Sequence, residues 1–227
     1  MLPRGAAVRR IPFGLARGLA MEVDFSYQSR LYAGIFEIEL ARHVRSLCRP
    51  GASCFDVGAR EGYYTLVLAG LSRGGRVLAL EFDPSWCKLL ERNLDANLSL
   101  APRPEVRTAH VAERTDEARG DVSLDDVAYG EDGFVPGLIK MDIEGGEAAA
   151  LRGARRLMRQ AKPILLLELH EAQSAESVTV FDELRQMGYE VRRLARQYPV
   201  VTSAAGLGRK AYLLGLPPGG FPMTEDA

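Results

Sequence analysis

The stretch Cys54-Phe55-Asp56-Val57-Gly58-Ala59-Arg60-Glu61-Gly62-Tyr63-Tyr64 decides the fold of this 227-residue chain. A short apolar run ends in a loop with glycines at 58 and 62, and residues 63–71 continue with helical character. A strand that passes through glycines into a helix is the opening unit of a doubly wound α/β sheet. Glycine permits the sharp turn and a close approach of backbone to ligand. The helix that follows points free N–H groups and its positive dipole end at that ligand. A dinucleotide loop would read G-x-G-x-x-G. Here Asp56 stands in the place of the first glycine, which disfavours a pyrophosphate and suits a cationic group such as an ammonium.

Outward from this unit, strand-like and helical patterns alternate. Residues 77–82 form the second expected strand, followed by Asp83-Pro84 as a helix N-cap with proline at the first helical position. Residues 107–111, 138–142 and 164–169 are further strands, with helices over 145–160 and 175–187, and the acidic stretch 112–137 reads as a solvated connection. Two last strands are expected at 189–194 and 210–215. Upstream, 29–47 reads as one helix with Leu31, Ile35, Ile38, Leu40 and Val44 on its buried side. The expected fold class is α/β, Rossmann-like, with a mostly parallel sheet covered by helices on both faces. Three regions follow. Residues 1–28 are a basic leader, either mobile or capping the active site; 29–216 form a single domain; 217–227 are a tail.

Composition removes several classes of function. A net charge of −1 supplies no field for nucleic acid. No apolar run reaches the ~20 residues that would span a bilayer. Three cysteines without metal-ligand spacing suit reduced thiols in a cytoplasmic protein. The oligomeric state is left open, a homodimer included.

The chemistry-bearing residues stand at strand ends, where open α/β sheets bind ligands. Glu81 ends the second strand, 23 residues after Gly58, a place from which an acid accepts hydrogen bonds from ribose hydroxyls. Candidates for cofactor binding are therefore Asp56, Gly58, Ala59, Gly62, Tyr63, Tyr64, Glu81 and Phe82, with Asp142 from the fourth strand. Lys140-Met141-Asp142-Ile143-Glu144-Gly145-Gly146-Glu147 ends that strand with three acids, and Glu168-Leu169-His170-Glu171 ends the fifth. His170 is the expected general base, with Asp142 or Glu168 orienting it or the acceptor. Asp142 and Glu168 would also suit Mg²⁺ or Ca²⁺, but two carboxylates and a histidine are a thin ligand set, and no metal is expected.

The loop DVGAREGYYTLVLA, LALEFDP with Asn93 and Asn97, SLDDV, LIKMDIEGGEAAALRGARRLM and KPILLLELH together resemble the FkbM family of methyltransferases over roughly residues 40–190. The resemblance implies a seven-stranded class I methyltransferase fold, S-adenosyl-L-methionine as methyl donor, and a hydroxyl acceptor on a sugar, glycolipid or natural product. It places Asp56, Gly58 and Gly62 on the cofactor loop, Glu81 on the ribose, and Asp142, Glu144 and Glu147 on the acidic motif. Arg60-Glu61 depart from the family pattern. The rival readings are a noncatalytic S-adenosylmethionine-binding module and a nicotinamide-dependent oxidoreductase. The acid cluster at the acceptor edge speaks against the first, and the glycine spacing against the second.

Overall fold

Cys54–Val57, Val77–Glu81, Leu138–Met141 and Ile164–Leu169 are buried along their whole length, as strands covered on both faces must be. The computed structural model describes residues 5–195 and 197–220. The first four residues of the basic leader and residues 221–227 of the tail lie outside them.

In chain order the elements begin with β1 (Ala7–Arg10), β2 (Ala20–Val23), α1 (Ser29–Tyr32), α2 (Ile38–Leu47), β3 (Cys54–Val57) and α3 (Tyr63–Ser72). There follow β4 (Val77–Glu81), α4 (Pro84–Asp95), β5 (Glu105–Thr108), β6 (His110–Val111), β7 (Asp121–Val122) and α5 (Leu124–Tyr129). The rest are β8 (Leu138–Met141), α6 (Glu147–Arg152), α7 (Arg155–Gln160), β9 (Ile164–Leu169), α8 (Ala175–Gln186), β10 (Glu190–Arg193) and β11 (Ala211–Leu216). Seven strands form the main sheet in the order β10-β11-β9-β8-β3-β4-β5. The pairs β5–β4, β4–β3, β3–β8 and β8–β9 are parallel, whereas β11 runs antiparallel to both β9 and β10. This is the mostly parallel Rossmann-like sheet that the alternation of patterns predicts.

The pleat sorts side chains into two cores. Phe55, Val57, Leu80, Ile139, Leu165 and Leu167 pack on one face with α6, α7 and α8 residues such as Leu151, Leu157 and Leu184. Cys54, Ala79, Leu138 and Leu166 face the other side, against Val44, Leu66 and Leu90 from α2, α3 and α4. Cys48, Cys54 and Cys87 are free and buried, as small apolar side chains commonly are.

Three local expectations need correction. The helix expected over 29–47 is two helices, α1 and α2, separated by a turn. Ile35 and Ile38 are consequently exposed and not part of the buried side, while Leu31, Leu40 and Val44 are buried. Glu37 adopts a left-handed backbone at this break. The helix expected over 145–160 also divides, into α6 and α7 at Gly153. A side chain at Gly153 would collide with the Ala112 carbonyl, 2.3 Å from its Cβ position. Asp125 then caps α7 by accepting from the N–H groups of Arg156 and Leu157 at 3.0 and 2.7 Å. Finally, the stretch 112–137 is more than a solvated connection: α5 lies in it and buries Leu124, Val127 and Ala128.

Residues 5–28 of the leader are built into the fold. β1 and β2 form an antiparallel hairpin whose Ile11, Met21 and Val23 are buried in the second core. Asn97 Oδ1 accepts from the Ala20 N–H at 2.9 Å, and Asn93 Oδ1 from the Glu22 N–H at 2.7 Å. Asn93 also donates to the Glu61 carbonyl at 2.8 Å, so one side chain ties the hairpin to the glycine loop.

Candidate active site

The carboxyl ends of β3, β4, β8 and β9 open onto two cavities that meet at Gly58. One, of about 240 Å³, is lined mainly by Leu80, Phe82, Ala109, Val111 and Ile143. The other, of about 370 Å³, runs past Ala59, Tyr64, Lys140, Asp142, Glu168 and His170. Gly58 has φ 78°, and a Cβ there would lie 1.9 Å from the Asp142 carbonyl. Only glycine lets the loop cross so close to the end of β8.

Glu81, at the end of β4, is buried and, like Asp56, lines neither cavity, although its neighbours Leu80 and Phe82 line the smaller one. Its Oε2 accepts from the Arg60 N–H at 2.8 Å and its Oε1 from the Asp83 N–H at 2.9 Å. Two backbone amides thus hold the carboxylate still, and each oxygen keeps a second acceptor position. Gly62, with φ 85°, begins α3, and Ala59 lines the larger cavity. Tyr63 and Tyr64 are buried and both reach the cavity wall. The Tyr64 hydroxyl donates to Glu37 Oε2 at 2.6 Å. Burial and the Glu37 charge hold that phenol well above the usual tyrosine value.

Asp56 stands apart from the role the sequence suggests. It is fully buried and lines neither cavity. Thr65 donates to its Oδ2 at 2.6 Å, and Lys140 Nζ lies 3.8 Å from Oδ1. Burial drives its carboxyl above the ordinary aspartate range, with Lys140 and Thr65 opposing. Its cationic partner is a side chain of the same chain, so it acts on the cavity through Lys140.

The sheet register explains what comes together beyond the loop. Asp56 is level with Lys140, and Lys140 with Leu166. Two residues further on, Asp142 and Glu168 are neighbours on the same face, with His170 beyond. His170 Nε2 lies 2.7 Å from Asp142 Oδ1 and 3.0 Å from Glu168 Oε1. Lys140 donates to Asp142 Oδ2 at 3.3 Å. Lys210, just before β11, places Nζ 2.5 Å from Glu168 Oε1 and 3.8 Å from Glu37 Oε1.

Burial pushes Asp142 up, but Lys140 and His170 outweigh it and hold the carboxyl below the usual value. Glu168 is displaced upward, by burial and then by the Asp142 charge, which Lys210 offsets in part. Burial would lower Lys140 and Lys210, but the carboxylates around them win and raise both. Ligand atoms of Asp142, Glu168 and His170 all lie within 4.8 Å of one another, a spacing a metal ion can use. Both carboxylates already face ammonium groups, which neutralise them as a cation would.

Glu144 and Glu147 divide in role. Glu147 is buried in the first turn of α6 and accepts from the Gly145 N–H at 3.0 Å. Glu144 is exposed beside Arg60, 3.6 Å from Nη1. Arg60 itself lies over the Trp86 ring at 5.0 Å, and Glu61 Oε1 accepts from Gln28 at 3.3 Å. The loop residues that depart from the family pattern are therefore tied to α4 and to the leader.

Residues 108–191 match the family model for the methyltransferase FkbM domain. The matched segment contains Asp142, Glu168 and His170, whereas the glycine loop precedes it. A methyltransferase FkbM from Methylobacillus flagellatus is similar in structure, with 21% identity and a TM-score of 0.56 over 86% of this chain. The chain spans 55% of the length of that protein. An S-adenosylmethionine-dependent O-methyltransferase from Thermotoga maritima gives 13% identity and a TM-score of 0.53, covering 80% of this chain and 66% of its own. A precorrin-6y C5,15-methyltransferase from Geobacter metallireducens gives 16% and 0.52, covering 79% and 87%. At these identities the likeness is one of fold, a mostly parallel Rossmann-like sheet covered by helices. No curated protein matches the chain. No helix among the described residues is long and apolar enough to cross a membrane.

Three residues that shape the site escape sequence reasoning. Glu37 comes from the break before α2 and Lys210 from just before β11, far apart in the chain. Lys140 is visible within KMDIEGGE, but its burial between Asp56 and Asp142 depends on the register. The signal that could have found it is a lysine inside an otherwise apolar strand, which must be paired to be buried.

Proposed function

We propose that this chain is a methyltransferase of the FkbM type that transfers the methyl group of S-adenosylmethionine to a hydroxyl oxygen, with His170 as general base. The observation that carries this reading is His170 held by Asp142 and Glu168 on the wall of the cavity that begins at the glycine loop.

The residues fit the donor. The smaller cavity, apolar between Leu80, Phe82, Val111 and Ile143, suits an adenine ring. Glu81 retains acceptor positions for ribose hydroxyls. The larger cavity is lined by five acids, Glu37, Glu61, Asp142, Glu144 and Glu168, against Arg30, Arg60, Lys140 and Lys210, so the surplus is a single negative charge, which suits a cationic tail. When bound, the donor supplies an activated methyl group on a sulfonium.

The remaining work belongs to this chain. With Nε2 donating to Asp142, the neutral imidazole carries its lone pair on Nδ1. That nitrogen takes the hydroxyl proton while the acceptor oxygen forms its bond to the methyl carbon. The donor would give up the methyl group and leave as a neutral thioether, its C–S electron pair remaining on sulfur. Asp142 stabilises the resulting imidazolium as an orienting carboxylate does. Alignment of the oxygen with the C–S bond is the main contribution expected of the cavity walls. Sugars, glycolipids and natural products with free hydroxyls are the acceptor classes to try.

Calorimetric titration with S-adenosylmethionine and with NAD tests the donor, and binding of the first alone is expected. Incubation with hydroxylated acceptors, read by mass spectrometry, should show the gain of one methyl group. Methylation confined to nitrogen or carbon acceptors would overturn the oxygen assignment while leaving the donor assignment intact.

A further inference from the structure

The first fifty residues hold eight arginines and four acids, in a chain whose net charge is −1. Part of this charge is gathered on one surface. Ile38, Arg42 and Arg45 are exposed on α2 and follow one another at i, i+4 and i+7, which puts them on one side of the helix. Arg45 Nη2 lies 3.4 Å from the Gly14 carbonyl, and the backbones of Gly14 and Gly34 pack against each other. The loop between β1 and β2, the link between α1 and α2, and the outer side of α2 are therefore contiguous. Phe13, Ile35 and Ile38 project from these three pieces, 63%, 45% and 58% exposed. Arg17 stands on the same loop as Phe13, and Glu39 is an acid on this side. Arg17, Arg42 and Arg45 form no ion pair among the described residues.

Single exposed apolar side chains are ordinary. Three large ones grouped with three unpaired guanidinium groups are a different matter, because both parts find a partner in one material. Apolar side chains enter the headgroup and acyl boundary of a bilayer, and arginines meet its anionic headgroups. We propose that Phe13, Ile35 and Ile38, with Arg17, Arg42 and Arg45, dock this chain on an anionic lipid surface. The link that exposes Ile35 turns Phe36 and Glu37 into the larger cavity, so the docking face borders the opening to His170. Docking itself is independent of the methyl-transfer chemistry. Only its use, presenting a lipid-borne hydroxyl to the base, rests on the function proposed above.

Sedimentation with vesicles tests this. The full chain should bind vesicles of phosphatidylcholine and phosphatidylglycerol at about seven to three and leave pure phosphatidylcholine vesicles unbound, each arginine being worth about fivefold in partitioning. Arg42→Glu with Arg45→Glu should lower binding at least ~25-fold, as two such contacts are lost. Phe13→Ser with Ile35→Ser should lower it about tenfold or more, as apolar burial is lost. Both double variants should bind S-adenosylmethionine as the parent chain does. Absence of binding to the mixed vesicles, equal binding to the two kinds, or unchanged binding by the variants would overturn the proposal. So would a dimer in light scattering that Phe13→Ser with Ile35→Ser dissociates, since the face would then join two copies. Loss of S-adenosylmethionine binding by the parent chain, with vesicle binding kept, would sink the methyltransferase reading alone.

Discussion

The two sides of the sheet edge hold their carboxylates by different means. At the glycine loop, Glu81 is held by the backbone N–H groups of Arg60 and Asp83. Across β8, β9 and β11, Asp142 and Glu168 are held by His170, Lys140 and Lys210. A backbone amide carries no net charge and cannot leave, so the first side is a rigid cradle. Lys140 and Lys210 are held in the charged form by the carboxylates around them, and an imidazole beside them is the kind of group that exchanges protons. On the function proposed above, the contrast would divide the labour: binding geometry beside the loop, acid–base chemistry beside His170.

The largest effect should come from the titrating side. His170→Ala should lower methyl transfer at saturating donor by about 100-fold or more, the usual worth of a positioned base. The S-adenosylmethionine Kd from calorimetry should stay within about twofold of the parent value if base and cradle are separate. A parallel loss of donor affinity would erase the division. Glu81→Ala should do the reverse. Removal of a charged acceptor costs about 1.5–3 kcal/mol, so the donor Kd should rise about 10- to 100-fold, with turnover at saturation largely kept.

A smaller effect separates the two sides by pH. Burial and then the Asp142 charge raise Glu168 above its ordinary 4.5, so the folded state favours its neutral form. The stability this adds is complete below that pH and is lost as pH rises through the folded value. Glu168→Gln removes the loss, and its urea midpoint should gain on the parent as the pH rises above 4.5. Asp142 has the opposite sign. Lys140 and His170 overcome its burial and lower it below 3.8, so its contribution is present above that pH and fades on acidification. An unchanged difference between parent and Glu168→Gln across the range would contradict this assignment. The smallest change is expected at Arg60→Ala, whose side chain is half exposed over Trp86. About 0.5 kcal/mol or less in urea denaturation is the expected cost for exposed pairs.

Much of the cradle was legible in the chain because its parts are close in sequence. Gly58, Gly62 and Glu81 belong to one strand–helix–strand unit, and local rules cover such units. The same locality misled at Asp56. A strand-end acid suggested a cationic ligand, but the side chain that meets it is Lys140, 84 residues away. The helix expected over 29–47 failed for a similar reason. Apolar spacing alone does not reveal that residue 34 packs against residue 14, or that Glu37 must turn inward to meet Tyr64 and Lys210.

By itself the sequence determined the alternation of strands and helices, the glycine turn, and the parity of each strand. Parity follows from the two-residue period of the pleat: 140 and 142 share a face, and so do 168 and 170. Register is what the tertiary structure decided. It follows from how the strands slide and pack within the sheet, and it set Asp142 beside Glu168 and brought Lys210 from β11 to meet them. Charges that are unremarkable one by one in the sequence became one contiguous cluster because burial between neighbouring strands keeps out the water that would otherwise separate them.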